Sequence, residues 1–305
     1  MHYRAGKLGL VDAYAPPTIK EIQPWAQKVA QQSKSQSVGV YARVLGIGCN
    51  SALAIQKKLG APACWKDLAK PGYAGEVYFA DPKTSGASYF AIAAMSQIFG
   101  EDQAFNYLDT MYKPPAPKKG LGGADASAVT PKGTTPPKGV PPTGVGKGTA
   151  GGVALGGSRT LGGGGSKGAA SEASGRDAPV VGDAIAGIGF IGDVVAEAEG
   201  GAPVKAAAPC EGTMQEVGTL SIVKGARNLD NAKKFVDWAL GAKAQGLIVK
   251  VSRAYPANSA VASAPLAPKW SEIKSTDYDA PKNEKTAARK RLTERWTGEI
   301  ASSAQ

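Results

Sequence analysis

The residues of this chain best suited to hold a ligand lie in a short polar loop, residues 81–89. Its small residues are Ser85, Gly86, Ala87 and Ser88. A strand-like run precedes this loop and a strongly helical run follows it. The first turn of a helix has free N–H groups at the positive end of the dipole, which suits a bound anion. A serine at this point could also be an ordinary N-cap, and both interpretations stay open on this stretch alone.

The chain offers little for metal binding or covalent catalysis. Cys49, Cys64 and Cys210 do not stand at metal-ligand spacing, and the only histidine is His2. We therefore expect no metal site, no cofactor and no catalytic residue, which makes an enzyme such as a hydrolase the least favoured function. Because an odd number of cysteines cannot form a complete disulfide framework, we expect three reduced, mostly buried thiols.

The positive charge of the chain, formally +11, is concentrated in one segment. Residues 113–177 contain nine Lys or Arg against three Asp or Glu, in a background of Gly, Pro, Ala, Thr and Ser. This composition cannot bury enough apolar surface to offset the entropy of ordering it, so we predict a disordered insert. No aromatic residues are interleaved with these charges, so we expect no nucleic-acid partner.

The elements that must position the loop alternate between strands and helices, which indicates an α/β fold. Strands are predicted at 38–50, 76–79, 184–191, 204–208 and 217–223, and a polar loop is predicted at 210–216. The glycines of the first strand fit a strand that bends or that another backbone approaches closely. Helices are predicted at 19–32, 51–59, 89–99, 101–112, 194–199, 228–240, 242–250 and 284–300. The helix at 228–240 is capped by Asn228 or Asp230, and its apolar face consists of Ala232, Phe235, Val236, Ala239 and Leu240. The inner stripe of the helix at 284–300 consists of Leu292, Trp296 and Ile300. No run reaches 18 apolar residues and the N-terminus has no apolar h-region, so we expect neither a transmembrane helix nor a signal peptide in this chain.

Several stretches, taken in order, resemble one protein family. They lie at 40–50, 65–68, 73–76, 81–86, 187–190, 211–213, 224–228, 231–238 and 291–296. On these motifs the chain resembles the periplasmic substrate-binding proteins of ABC transporters, in the ferric-ion-binding type (periplasmic binding protein type 2). Similar proteins bind sugar phosphates or phosphonates. No single motif is diagnostic, and the resemblance covers about 38–112 and 184–300 of the chain.

The resemblance implies two α/β lobes joined by hinge strands at 38–49 and 217–223, with the ligand in the cleft between the lobes. The segments expected on this basis are a partial lobe one with a hinge strand at 1–50, the first part of lobe two at 51–112, the insert at 113–177, the second part of lobe two at 178–216, and a hinge strand with lobe-one helices and the C-terminal helix at 217–305. Family members have further residues before residue 10, so lobe one is expected to be incomplete.

The resemblance also implies a ligand and partners. Ser85, Ser88 and the N–H groups of 86–88 would hold a phosphate or carboxylate, while Asp193, Glu216 and, more weakly, Thr213 would contact hydroxyl groups. Asp193 could instead be a helix N-cap, and Glu216 could lie in a surface loop. Ferric binders use an adjacent tyrosine pair that this chain lacks, so direct ferric-ion binding is the weaker alternative.

The function expected is capture of a small anionic solute, either a phosphorylated or carboxylated organic molecule or an iron complex. The protein would be a periplasmic monomer that delivers its solute to an ABC permease in the inner membrane. The alternative is a truncated or misread relic that binds nothing.

Overall fold

The structure is a computed structural model that describes residues 2–112, 184–276 and 286–301. All of these residues belong to one compact unit. The predicted disordered insert at 113–177 lies outside the described residues. Within the described ranges, no helix combines the length and the apolar character that a membrane crossing requires.

The described chain alternates helices and strands, as predicted. The α-helices are α1 (His2–Lys7), α2 (Pro24–Gln32), α3 (Ser51–Gln56), α4 (Gly86–Phe99), α5 (Glu101–Tyr112), α6 (Ile191–Glu199), α7 (Leu229–Leu240), α8 (Ala242–Ser252) and α9 (Thr286–Arg295). α9 continues as a π-helical turn at Trp296–Ile300, and short 3-10 helices lie at Pro17–Glu21, Trp65–Ala69 and Trp270–Glu272. The strands are β1 (Val11–Asp12), β2 (Val38–Asn50), β3 (Val77–Tyr78), β4 (Ala186–Phe190), β5 (Val204–Ala207), β6 (Thr213–Leu220), β7 (Ile222–Val223), β8 (Tyr255–Pro256) and β9 (Ser275–Thr276).

The 13-residue strand β2 is the centre of the sheet. It pairs antiparallel with β6 through its first half and with β4 through its second half, and it also pairs with β5 and β8. The strand order is β3-β4-β2-β6-β9. The glycines of β2 suggested a close approach by other groups, and Gly46 confirms it: a Cβ there would lie 2.5 Å from the Ile191 side chain and 2.7 Å from the Ala207 carbonyl oxygen.

Three hydrophobic cores share β2, and the middle one contains Ala42 and Val44 together with Ile191 and Tyr255. Leu45 and Ile47, in its second half, belong to a larger core with α4, α5 and the C-terminal helix. Val38 and Val40, in its first half, belong to a smaller core with residues of α2 and α7. One hydrogen-bonded strand therefore connects the larger and the smaller core, which is the position predicted for a hinge strand. Hinge motion itself stays a prediction.

The C-terminal helix follows its predicted inner stripe. Leu292, Trp296 and Ile300 are 1%, 2% and 1% exposed. The Trp296 ring packs against Phe79 and Tyr112, with ring centroids 5.0 Å and 5.1 Å away. These contacts attach the end of the chain to the larger core.

Helix α7 follows its prediction only in part. Val236, Ala239 and Leu240 are buried as expected, but Phe235, predicted on the same face, is 41% exposed. Asn228 occupies the N-cap position, although its side chain makes no capping hydrogen bond. The amphipathic pattern identified the helix correctly and overestimated the width of its buried face.

The prediction of three reduced cysteines is wrong for two of them. Cys64 and Cys210 form a disulfide across 146 residues of sequence, and Cys49 is a free, buried thiol. The backbone N–H of Cys210 donates to the Ala63 carbonyl at 2.9 Å, which places the two loops side by side. Sequence spacing carries no information about such a pairing, because tertiary contacts bring the two loops together.

Candidate functional site

The N-terminus of α4 is built as the sequence predicted. Ser85 is the N-cap, and its Oγ accepts a hydrogen bond from the Ser88 N–H at 3.1 Å. Ser85, Ala87 and Ser88 are buried, whereas Gly86 is exposed and has nothing within 4 Å of the position of a Cβ. Because Ser85 already holds the N–H of Ser88, the first-turn N–H groups left for an anion are those of Gly86 and Ala87.

A second group of polar side chains meets at Arg43, in the middle of β2. Its Nη2 donates to Asp193 Oδ2 at 3.1 Å, and its Nη1 lies 3.9 Å from Glu216 Oε2. Its guanidinium carbon lies 3.8 Å from the centroid of the Phe190 ring. Two carboxylates that the sequence suggested separately therefore meet at one cation.

The three charged side chains come from three different elements. Arg43 and Glu216 are directly opposite one another in the β2–β6 pairing, so their side chains lie on the same face of the sheet. Asp193 is the third residue of α6, whose N-cap is Phe190, so the N-cap interpretation of Asp193 is wrong. In the first turn its negative charge faces the positive end of the helix dipole.

The expected polar loop at 210–216 is shorter in the structure, because β6 already begins at Thr213. Thr213 is fully buried, and its Oγ1 donates to the Leu45 carbonyl at 2.7 Å. This bond joins two strands, so we leave Thr213 out of the proposed ligand contacts. Glu216 is 54% exposed and lies on a strand rather than in a surface loop.

Two aromatic rings connect Arg43 with α4. The Phe190 ring, which contacts the Arg43 guanidinium, also stacks with the ring of Phe90 on α4, at 5.9 Å between centroids. Helix α4 contacts both β4 and β6. The Arg43 cluster and α4 thus belong to one packed wall, joined by the stacked rings of Phe190 and Phe90.

Tyr41 lies on the same face of β2 as Arg43, two residues earlier. Its ring covers Gly218, where a Cβ would come within 2.2 Å of the ring, so a larger residue there would force the Tyr41 ring to move. Burial, followed by the nearby charge of Glu216, raises the pKa of the Tyr41 hydroxyl. Tyr41 therefore stays a neutral phenol beside the carboxylates.

The sequence-based predictions did not include Arg43, Phe190 or Tyr41. Arg43 carried a usable signal, because it is the only charged residue in the otherwise apolar run at 38–49. A cation in the centre of a buried strand requires a partner. Neither Phe190 nor Tyr41 differs from an ordinary core aromatic in sequence.

One further group of metal-type side chains lies among the described residues. Cys64, Cys210 and Glu211 have their ligand atoms within 4.8 Å of one another. The two sulfurs are bonded to each other, and the Glu211 carboxylate accepts from the N–H groups of Trp65 and Lys66 at 2.8 Å and 3.1 Å. We assign this group a structural role in joining two loops.

Comparison with known proteins gives a consistent answer. A family model described as bacterial extracellular solute-binding protein matches residues 2–131. An uncharacterized protein of Haemophilus influenzae is 33% identical over 302 residues, which cover 97% of this chain and 72% of that protein.

Solved structures agree with this result. The fructose-6-phosphate-bound periplasmic binding protein AfuA from Actinobacillus pleuropneumoniae is 33% identical, with a TM-score of 0.64, over 98% of this chain and 79% of that one. The periplasmic binding protein P5PA is 26% identical with the same TM-score, over 98% of this chain and 80% of that one.

The apo ferric ion-binding protein A from Pasteurella haemolytica, 17% identical over 98% of this chain and 76% of that one, has a TM-score of 0.54 and shares the fold alone. These matches confirm the predicted α/β, two-lobed periplasmic-binding-protein fold. The chain belongs to the bacterial extracellular solute-binding proteins, in the ferric and sugar-phosphate type that serves ABC transporters.

Proposed function

We propose that this protein captures a phosphorylated, hydroxyl-bearing organic solute for an ABC importer. The observation that carries the proposal is the convergence of Asp193 and Glu216 on Arg43, on a wall that continues through Phe190 and Phe90 into α4. The expected place of action is the periplasm, as a monomer that delivers its solute to an inner-membrane permease. The role is binding, with no catalytic step.

The two parts of the wall suit the two ends of such a solute. The first-turn N–H groups of Gly86 and Ala87, at the positive end of the α4 dipole, suit a phosphate or carboxylate. Asp193 and Glu216 are acceptors and suit hydroxyl groups, which donate. A solute with a phosphate at one end and several hydroxyls at the other matches both parts.

The charges favour this class over a bare ferric ion. Trivalent iron prefers hard anionic oxygens, which Asp193 and Glu216 could supply. However, a guanidinium lies 3.1 Å from Asp193 and would repel an incoming trivalent cation. The similar protein AfuA, which is 33% identical to this chain, was solved with fructose 6-phosphate bound, and this supports the sugar-phosphate class.

Isothermal calorimetry tests the proposal. The titrants are fructose 6-phosphate, glucose 6-phosphate, fructose, inorganic phosphate and ferric citrate. We expect a saturable heat with a sugar phosphate, weaker binding of inorganic phosphate and no binding of fructose. Ferric citrate binding without sugar-phosphate binding would establish the iron alternative.

Two variants locate the site. We expect Asp193→Asn to weaken sugar-phosphate binding by about tenfold or more, because a charged acceptor is replaced by a neutral amide. Glu199→Gln is the matched control, since Glu199 also lies on α6 and pairs with an arginine, Arg253, at 2.8 Å. A cooperatively folded protein that binds none of the titrants would identify the chain as a non-binding relic.

A further inference from the structure

Arg43 is held on three sides and occupies the centre of the proposed wall. We infer that Arg43 is a positioning residue that presents Asp193 and Glu216 to the hydroxyl end of the solute and so makes the site prefer phosphorylated polyols over simple phosphate. This inference rests on the proposed function. It assigns the selectivity of the site to one side chain on β2.

The position of the guanidinium is tightly determined. It stacks on Phe190 at 3.8 Å and donates to Asp193 at 3.1 Å. Its Cα lies opposite Glu216 in the β2–β6 pairing, and the next residue but one, Leu45, pairs with Phe190 on the other side of β2. A planar guanidinium can stack and form directional hydrogen bonds at once, which a lysine ammonium cannot do.

The two carboxylates are held unequally. Asp193 is hydrogen-bonded to Arg43 and its side chain is 15% exposed, so its direction is well defined. Glu216 is 54% exposed and its oxygen lies 3.9 Å from Arg43, which is an ion-pair distance without a direct hydrogen bond. Asp193 is therefore an acceptor with a fixed orientation, and Glu216 is an acceptor whose side chain can adjust to the solute.

Arg43 also makes it possible for two carboxylates to lie near an anionic solute. Like charges that approach one another destabilise the site and repel a phosphate. The guanidinium between them reduces this repulsion and leaves their oxygens as hydrogen-bond acceptors. Inorganic phosphate has no carbon-bound hydroxyl groups to use these acceptors, whereas a phosphorylated polyol has several.

The test is the ratio of two affinities, that for fructose 6-phosphate over that for inorganic phosphate, measured by calorimetry on the full chain. In Arg43→Lys the charge is kept while stacking and the fixed geometry are lost. We expect fructose 6-phosphate to bind about tenfold more weakly and inorganic phosphate to change less than about twofold. In Arg43→Gln we expect a loss of about 100-fold for fructose 6-phosphate, because two carboxylates are left without their cation.

Arg253→Lys and Arg253→Gln are the matched controls. Arg253 pairs with Glu199 on the same helix, α6, with its side chain 24% exposed against 33% for Arg43. We expect both controls to leave the ratio unchanged. A thermal melt of each variant separates loss of folding from loss of selectivity, and Arg43→Lys decides the matter if Arg43→Gln does not fold.

The possible failures are distinguishable. If the wild-type chain binds fructose 6-phosphate and Arg43→Lys weakens both ligands equally, or neither, the inference about Arg43 is wrong while the proposed function stands. If the folded wild-type chain binds no sugar phosphate at all, the proposed function fails and the inference fails with it.

Discussion

Helices α4 and α7 have similar lengths, 14 and 12 residues, but very different surroundings. In α4, residues 87–95 are all buried, and Ser85 caps the helix with its side chain. In α7 only Val236, Ala239 and Leu240 are buried, and Asn228 makes no side-chain cap.

The apolar residues of α7 show the same contrast. Phe235 and Trp238 are 41% and 52% exposed, with their rings 5.6 Å apart. A helix that is apolar all round must be covered on every side, whereas an amphipathic helix needs cover on one face only. Composition therefore sets how much of a helix can be buried, and neighbouring elements decide how much is buried.

The largest expected difference concerns two tryptophans, Trp296 in the larger core that contains α4 and Trp238 on α7. We expect Trp296→Ala to lower the free energy of unfolding by about 3–5 kcal/mol, because it leaves a cavity in the larger core. Trp296 is 2% exposed, whereas Trp238 is 52% exposed, so we expect Trp238→Ala to cost less than about 1 kcal/mol. Urea unfolding of both variants measures the difference. Equal losses of unfolding free energy would contradict the contrast between the buried Trp296 and the exposed Trp238.

Removal of the Cys64–Cys210 disulfide should follow in size. We expect the double variant Cys64→Ala/Cys210→Ala to lose about 2–4 kcal/mol, since the bond closes a long loop in the unfolded chain. Because Trp65, next to Cys64, is fully buried in the larger core, the amides of α4 should lose more hydrogen-exchange protection than those of α7. Scanning calorimetry gives the stability. An equal loss of hydrogen-exchange protection in α4 and α7 would show that the disulfide does not act mainly on the larger core.

The two helix N-caps give a smaller effect. We expect Ser85→Ala to cost about 1 kcal/mol, because it removes the bond to the Ser88 N–H. Asn228→Ala should cost only a few tenths of a kcal/mol, since its side chain forms no capping bond. Thermal melts compare the two; if Asn228→Ala were the more damaging substitution, the local difference between α4 and α7 would be wrong.

One further expected effect in the larger core depends on pH and appears only under alkaline conditions. Burial, with the nearby Cys49 and Asp67, raises the pKa of Tyr73 to about 12. A raised pKa stabilises the neutral form, so this contribution is complete below pH 10 and is lost as the pH rises towards 12. We expect Tyr73→Phe to flatten the fall in stability between these pH values, as measured by urea unfolding, and an unchanged pH profile would contradict this.

Local chemistry made much of the fold predictable. The Ser85 cap follows from a serine before a helical run, and the stripe of Leu292, Trp296 and Ile300 follows from helical spacing. β2 was predictable because β-branched residues cluster in it. Each of these features depends on residues close together in sequence.

The candidate site was predictable only in part. Asp193 and Glu216 were proposed from the resemblance, and their ligand role stays a prediction. Arg43 stands out locally as the only charged residue of its apolar run, but its pairing with Asp193, 150 residues away, has no local signature. The early start of β6 was missed for a similar reason, since the partner that orders Thr213 is the distant Leu45 carbonyl.

The sequence by itself determined the order of the longer strands and helices, the identity of the family and the N-cap of α4, because propensity, spacing and motif order are local properties. Only the tertiary structure decided the Cys64–Cys210 bond, the exposure of Phe235 and the meeting of Asp193 and Glu216 at Arg43. The physical reason is that disulfide geometry, burial and ion pairing depend on distances in space, which folding sets between residues far apart in the chain.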